Sequence, residues 1–181
     1  MKRYINSGIY YIFLIFIFML FINSCSSERV WISPEEKFNN AKIAMVGFDL
    51  RDAKTDALLV TVSNQISEGL AIYFLNCGFN VVERSRIDLI LQEMKLQTSG
   101  LLSQDDAIKL GKIANVKYIV HGSGNVRFQG SYPFVHTFTL KMTNVENGQV
   151  VLVSNWTGSA KSLGTVIEGI GNSIVNKFKQ K

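Results

Sequence analysis

The chain has 181 residues and a formal net charge of +5, a length that suits one domain together with a targeting segment. Its basic residues are scattered along the sequence and form no dense internal run, so we expect no nucleic-acid partner. There are only two cysteines, Cys25 and Cys77, which excludes the multi-cysteine disulfide framework of small secreted domains.

The amino-terminal stretch has the three parts of a secretory signal. Lys2 and Arg3 give a positive start, residues 9–22 form an almost unbroken apolar run, and the small residue Ser24 precedes Cys25. The run is shorter than the roughly 20 apolar residues that a membrane-spanning helix needs. We therefore predict that residues 1–24 are a signal peptide.

The end of this segment, residues 22–25 (INSC), resembles a bacterial lipobox. The resemblance implies a thioether lipid on Cys25, cleavage after Ser24 and acylation, for instance by palmitate, of the new amino terminus. Two or three acyl chains give stable anchoring, whereas one chain is marginal. Asn23 departs from the commonest lipobox. An uncleaved anchor helix and an ordinary signal peptide with an incidental cysteine are the alternatives.

A lipid anchor and linker are predicted for residues 25–40, because residues 26–40 are mostly polar. Trp31 and Ile32 are exceptions, which either pack on the domain or rest at the lipid interface. The domain itself is predicted to occupy residues 41–181.

The first half of the domain predicts two strands and three helices. An apolar strand at residues 42–49 and a short one at residues 79–83 enclose a helix at residues 57–76, whose apolar side chains recur every four residues. A second helix runs through Ile87 to Leu96 and is broken at residues 98–100. A third begins after Ser103, which caps it, and reaches Asn115.

Three strands and a helix complete the chain. The strands are predicted at residues 118–128, 134–145 and 149–157, with a turn at residues 146–148 between the last two, and the helix at residues 162–179. The predicted fold class is α/β (α+β): a single mixed, largely antiparallel sheet flanked by helices, in the order β-α-β-α-α-β-β-β-α. Even-numbered residues of the middle strand, including His136 and Phe138, are expected to share one face.

The residues that carry chemistry predict no enzyme. His121 and His136 are the only histidines, no metal-ligand spacing occurs, and Cys77 has no histidine nearby in sequence. Glycines at residues 122–124 and 169–171 do not follow the phosphate-loop pattern, so close backbone packing is the better explanation. We predict no catalytic residue, no metal and no cofactor.

A charged turn at residues 83–86 is the best candidate for a contact site. Glu83, Arg84 and Arg86 stand at a predicted strand-to-helix junction, where helix electrostatics favour the glutamate but not the arginines. Local pairing and contact with a partner or another subunit are the two alternatives.

Five segments resemble, in order and spacing, the curli production assembly/transport (CsgG-type) lipoproteins. The resemblance covers about residues 41–179 and extends to flagellar outer-membrane lipoproteins and to activators of penicillin-binding proteins, which share the fold. Fold alone does not select a function. The matching segments are residues 82–93, 98–101, 107–112, 116–124 and 140–151.

This chain departs from the family by its short hairpins. Curli secretion channels add two long membrane-spanning hairpins, and a membrane strand needs about 9–11 residues. Residues 125–136 leave room for at most a stub, and from Trp156 the chain runs directly toward its last helix. We expect a short form that forms no pore by itself.

The resemblance implies a non-catalytic cell-envelope lipoprotein that supports assembly or secretion of surface material through protein–protein contacts. We expect a lipid anchor on the periplasmic face of the outer membrane, envelope or secretion proteins as partners, and a homo-oligomer. The alternative is a lipoprotein regulator (activator) of a peptidoglycan synthase. That role needs a linker long enough to cross the peptidoglycan, and residues 26–40 are short for it.

Overall fold

The computed structural model describes residues 27–52, 56–94 and 103–180. Within these ranges the chain forms six strands and four helices. The strands are β1 (Ser27–Ile32), β2 (Lys42–Arg51), β3 (Asn80–Val81), β4 (Tyr118–Gln129), β5 (Tyr132–Asn144) and β6 (Val150–Ser162). The helices are α1 (Asp56–Asn76), α2 (Arg84–Glu93), α3 (Gln104–Ala114) and α4 (Leu163–Lys179).

All six strands belong to one sheet with the order β1-β6-β5-β4-β2-β3. The pairs β1–β6, β6–β5 and β5–β4 are antiparallel, whereas β4–β2 and β2–β3 are parallel. The predicted fold class, a mixed and largely antiparallel sheet flanked by helices, is therefore confirmed.

The helices cover the sheet from both sides because each has one apolar stripe to bury. On one face, α1 and α4 pack over a large core that includes Leu70, Phe74 and Ile174. On the other face, α2 and α3 cover a smaller core around Leu91 and Leu110. By length and composition residues 57–76 of α1 also qualify as a membrane span, but burial of their stripe in the large core explains that composition.

The strand β1 was not predicted. Residues 26–40 were interpreted as a linker because they are polar, yet Ser27–Ile32 pairs with β6 as an edge strand. Edge strands tolerate polar side chains because only one side of the strand is hydrogen-bonded within the sheet. The segment after β1 is also fixed to the domain, since Phe38 is buried in the large core.

A bulge in β5 overturns the predicted alternation around His136. Val135 pairs with Val126 and Thr137 pairs with Asn125, which leaves His136 as the extra residue. Beyond the bulge Val135, not His136, faces the core with Phe138, because an inserted residue reverses the alternation of side chains. The predicted breaker at residues 98–100 lies outside the described residues.

The connections between the last strands confirm the short form. Between Tyr118 and Lys179 the chain is described without a gap, β4 and β5 are joined by Gly130 and Ser131, and β6 passes directly into α4. No long hairpin is inserted at either place in this stretch. We call residues 127–134 and 158–162 the hairpin end of the sheet, and the edge formed by Lys42, Asn80 and Tyr118 the opposite end.

Candidate functional site

The charged turn predicted as a contact site lies at the start of α2. Glu83 precedes the helix, is exposed and makes no side-chain capping hydrogen bond. Arg86, the third residue of α2, is also exposed. Both side chains are therefore accessible to another molecule, and their contact with a partner stays a prediction.

Arg84 differs from its neighbours because it is paired within the helix. Its Nε lies 2.9 Å from Oδ1 of Asp88, and its side chain is only 16% exposed. Its Nη1 is buried without a hydrogen-bond partner among the described residues. The pair has the i, i+4 spacing at which helix side chains meet. Arg84 thus anchors the helix start, while Glu83 and Arg86 flank it at the surface.

An exposed apolar side chain extends this surface. Leu89 is 61% exposed and stands three residues after Arg86, so the two side chains lie on the same side of the helix. We call Glu83, Arg86 and Leu89 the α2 surface. Its charged groups around a leucine are suited to contact with another protein and carry no arrangement for covalent chemistry.

A second feature is a cavity of about 580 Å³ at the opposite end of the sheet. Phe38 and Phe178 meet edge to face, with ring centroids 5.2 Å apart, and form its apolar part. The remaining lining comes from the segment before β2 and the end of α1. It consists of Glu36, Lys37, Asn39, Asn40, Cys77 and Gly78.

Glu36 connects the segment that lines this cavity to the sheet. Its Oε1 accepts a short hydrogen bond from the Tyr118 hydroxyl and lies 3.2 Å from Nζ of Lys117. Burial, and then the hydrogen bond and charge of Glu36, raise the pKa of Tyr118. Tyr118 consequently stays a neutral donor, and the cluster fixes the segment between β1 and β2.

Cys77, the free thiol in the cavity wall, is poorly suited to nucleophilic chemistry. Burial raises its pKa to about 11, an effect that the positive charge of Lys179 only partly offsets. The nucleophile of a cysteine is the thiolate. At neutral pH the group is therefore almost entirely the protonated, unreactive thiol.

We expect the alkylation of Cys77 by iodoacetamide to be slow and to keep rising with pH. At pH 8 a thiol with this pKa reacts roughly 100-fold more slowly than an unshifted one, because its thiolate fraction is about 100-fold smaller. The rate at residue 77, followed by peptide mass spectrometry, should climb about tenfold per pH unit from 7 to 10. A rate that levels off between pH 9 and pH 10 would contradict this, and the urea-unfolded chain, whose thiol has the ordinary pKa and should level off there, is the control.

The histidines do not assemble a reactive site. His121 lies on β4 with its Nε2 3.0 Å from Oγ1 of Thr143. Burial, and then the charge of Lys141, lower its pKa, so the neutral ring serves as a hydrogen-bonding group. Within the ranges that the structure describes, no group of three or more His, Cys, Asp or Glu side chains is placed to hold a metal ion.

The predicted lipidation site, Cys25, lies outside the described residues. Ser27, two residues later, is the first residue of β1 and pairs with Thr157. Sequence reasoning also missed Tyr132, which is 75% exposed at the turn of the β4–β5 hairpin. The sequence feature that could have identified Tyr132 is an aromatic residue directly after a Gly-Ser turn.

Comparison with solved structures shows where this fold occurs. The PelC dodecamer from Paraburkholderia phytofirmans is similar over 85% of this chain and 97% of that chain, with a TM-score of 0.51 and 16% identity. The LpoB C-terminal domain from Salmonella enterica is similar over 71% of this chain and 87% of that chain, with a TM-score of 0.51 and 14% identity. At these identities the likeness shows the fold alone.

Comparison of sequences gives the family relation. None of the curated proteins compared with the chain matches it significantly. The family model of the curli production assembly/transport component CsgG matches residues 39–125, which run from the segment before β2 into β4 and include the α2 surface. Over these residues the chain is similar to the CsgG family.

Proposed function

We propose that the chain is a non-catalytic cell-envelope lipoprotein, anchored through Cys25, that supports assembly or secretion of surface material through protein–protein contacts. The observation that carries the proposal is the match of residues 39–125 to a curli production assembly/transport component. That domain stands directly behind a lipobox-like cysteine. The anchor places it at the periplasmic face of the outer membrane.

The surfaces of the domain support contact rather than catalysis. Glu83, Arg86 and Leu89 are exposed together at the start of α2, whereas two of the described groups whose pKa is shifted, Cys77 and His121, are held in their neutral forms. Perturbed groups at an active site are normally poised to exchange protons near neutral pH. These two are shifted away from that role.

The short hairpins support a role beside a channel and not as one. Gly130 and Ser131 close the β4–β5 hairpin, and β6 leads straight into α4. Membrane strands of about 9–11 residues are therefore missing from the places where the family inserts them. The chain acts by binding secretion or envelope proteins, and the PelC dodecamer is a precedent for this fold in an oligomer.

The alternative, activation of a peptidoglycan synthase, is disfavoured by the short distance between the predicted anchor and the domain. The LpoB domain shares the fold, but in this chain β1 starts at Ser27. Two residues span at most about 7 Å, so the domain stays beside its anchor. A regulator that must cross the peptidoglycan needs a much longer tether.

The mass of the intact lipoprotein tests the assembly role. The chain is expressed with its own signal, extracted in mild detergent and measured by size-exclusion chromatography with light scattering. We expect a particle of several chains that persists on dilution. A strict monomer at every concentration would contradict the proposal.

Crosslinking in intact cells separates the two roles. Chains carrying a photocrosslinker in place of Leu89 are isolated, and their adducts are identified by mass spectrometry. Adducts with a secretion or surface-assembly protein, or with a second copy, support the proposal. Adducts with a peptidoglycan synthase favour the alternative. A photocrosslinker in place of Leu75, exposed on α1, is the matched control.

A further inference from the structure

The strand register shows which end of the domain faces the anchor. Because β1 is antiparallel to β6, following β1 backward from Ile32 to Ser27 leads toward the hairpin end. Ser27 lies level with Thr157, which is level with Thr137 on β5 and Asn125 on β4. The predicted lipid therefore leaves the fold on the side of the hairpin end.

Measured along the strand direction, the predicted anchor can reach almost as far as the hairpin end. Four residues separate Asn125 from Gln129, which is about 13 Å along a strand. Cys25 can extend at most about 7 Å beyond Ser27. The turn at Gly130 thus reaches roughly 6 Å past the acylated residue, a depth comparable to the interfacial layer of a bilayer.

The chemistry of this end suits lipid headgroups. Tyr132 is the most exposed large apolar side chain among those described, Arg127 is exposed beside it, and Lys161 lies on the adjoining strand. Residues 118–145 and 147–167 contain no aspartate or glutamate. On the neighbouring strand β2, the acidic residues nearest the turn are Asp49 and, directly after the strand, Asp52. Both lie near the level of Asn125, several residues away from the turn at Gly130.

We propose that the hairpin end is a second, non-covalent membrane contact. The Tyr132 ring enters the interfacial layer, and Arg127 and Lys161 meet anionic headgroups. Aromatic and basic side chains are the residues that proteins place at this depth. The proposal rests on the proposed anchoring at Cys25, and it orients the domain with the cavity at the opposite end directed away from the bilayer.

Fluorescence quenching by brominated lipid tests this contact. The acylated chain carrying Trp31→Phe and Tyr132→Trp is reconstituted in vesicles of phosphatidylethanolamine and phosphatidylglycerol, with and without bromine in the upper acyl chains. The remaining Trp156 is buried and gives a constant background. The matched control is Leu75→Trp in the same background, since Leu75 is exposed on the last turn of α1, near the opposite end.

We expect emission of the Tyr132→Trp chain to be roughly twofold weaker in brominated vesicles, because an interfacial indole lies close to the bromines, and the control to be unchanged. Equal emission in both vesicles, with mass spectrometry showing acylated Cys25, would overturn the contact and leave the anchoring intact. An emission change that depends on protein density but not on bromine would mean that the end contacts a second copy, and would overturn it too.

The proposal stays testable if the anchor is absent. Should mass spectrometry find Cys25 unmodified, the same variants are mixed with brominated phosphatidylglycerol vesicles at low salt. Quenching of the Tyr132→Trp chain alone would then support the membrane contact without the anchor. No quenching would overturn both.

Discussion

Replacing Cys25 by serine is expected to abolish acylation of the chain. With labelled palmitate in the growth medium, the wild-type protein should incorporate the label, and its amino-terminal peptide should begin at residue 25 with attached acyl groups. The Cys25→Ser chain should incorporate none. The physical reason is that only the thiol can form the thioether, and the lipobox resemblance implies that cleavage follows this step, so residues 1–24 should remain attached.

Cys77→Ser is the matched control, because it removes the chain's other thiol by the same change. Its thiol is half-buried and has a raised pKa, so we expect labelling equal to wild type. The masses of the wild-type and Cys25→Ser chains together decide among the alternatives. An ordinary signal peptide would be cleaved from both chains without label, and an uncleaved anchor helix would leave residues 1–24 on both.

The helices were predictable because their signals are local. Residues 57–76 were predicted from apolar spacing, and α1 spans Asp56–Asn76. Ser103 was predicted as a cap, and its Oγ accepts a hydrogen bond from the backbone N–H of Asp106. The turn at residues 146–148 likewise depends on a glycine, and Gly148 adopts a φ of +72°. Each of these features is decided within one or two turns of chain.

The strands were less predictable because pairing decides them. β1 is six residues long, with Val30 and Ile32 toward the core and Arg29 and Trp31 outward, and so short an alternation among polar residues is a weak signal. The bulge at His136 arises from the register with both neighbouring strands. No local pattern in β5 fixes that register, so the faces of its first residues were assigned wrongly.

The candidate site likewise has one part that local sequence predicts and another that depends on strand pairing. The Arg84–Asp88 pair has a helical spacing that could be read from the sequence. The bond between Tyr118 and Glu36 joins residues 82 positions apart, and the nearness of Ser27 to the hairpin end follows from strand order. Both depend on the assembled sheet. The contact sites are therefore visible only once the strands are placed.

Gly122→Ala is expected to lower the free energy of unfolding by about 3 kcal/mol, near the upper range for overpacking a core. A Cβ at residue 122 would lie 2.0 Å from the carbonyl oxygen of Thr139. The obstacle is backbone, and the two strands cannot separate, because β4 is also paired with β2 and β5 with β6. The glycine predicted to serve close packing is thus required by the approach of β5.

Thermal unfolding of the purified chain, followed by circular dichroism, measures this effect. A loss of about 3 kcal/mol should lower the midpoint by roughly 6–12 °C for a chain of this size. Gly164→Ala is the matched control, since no atom lies within 4 Å of a Cβ at that position of α4. Alanine there should raise stability by at most about 0.5 kcal/mol, because a helix loses less backbone entropy with alanine than with glycine and Gly164 is only the second residue of α4. If both variants had the same unfolding midpoint as the wild type, the close approach of β4 and β5 at Gly122 would not be a constraint on the fold.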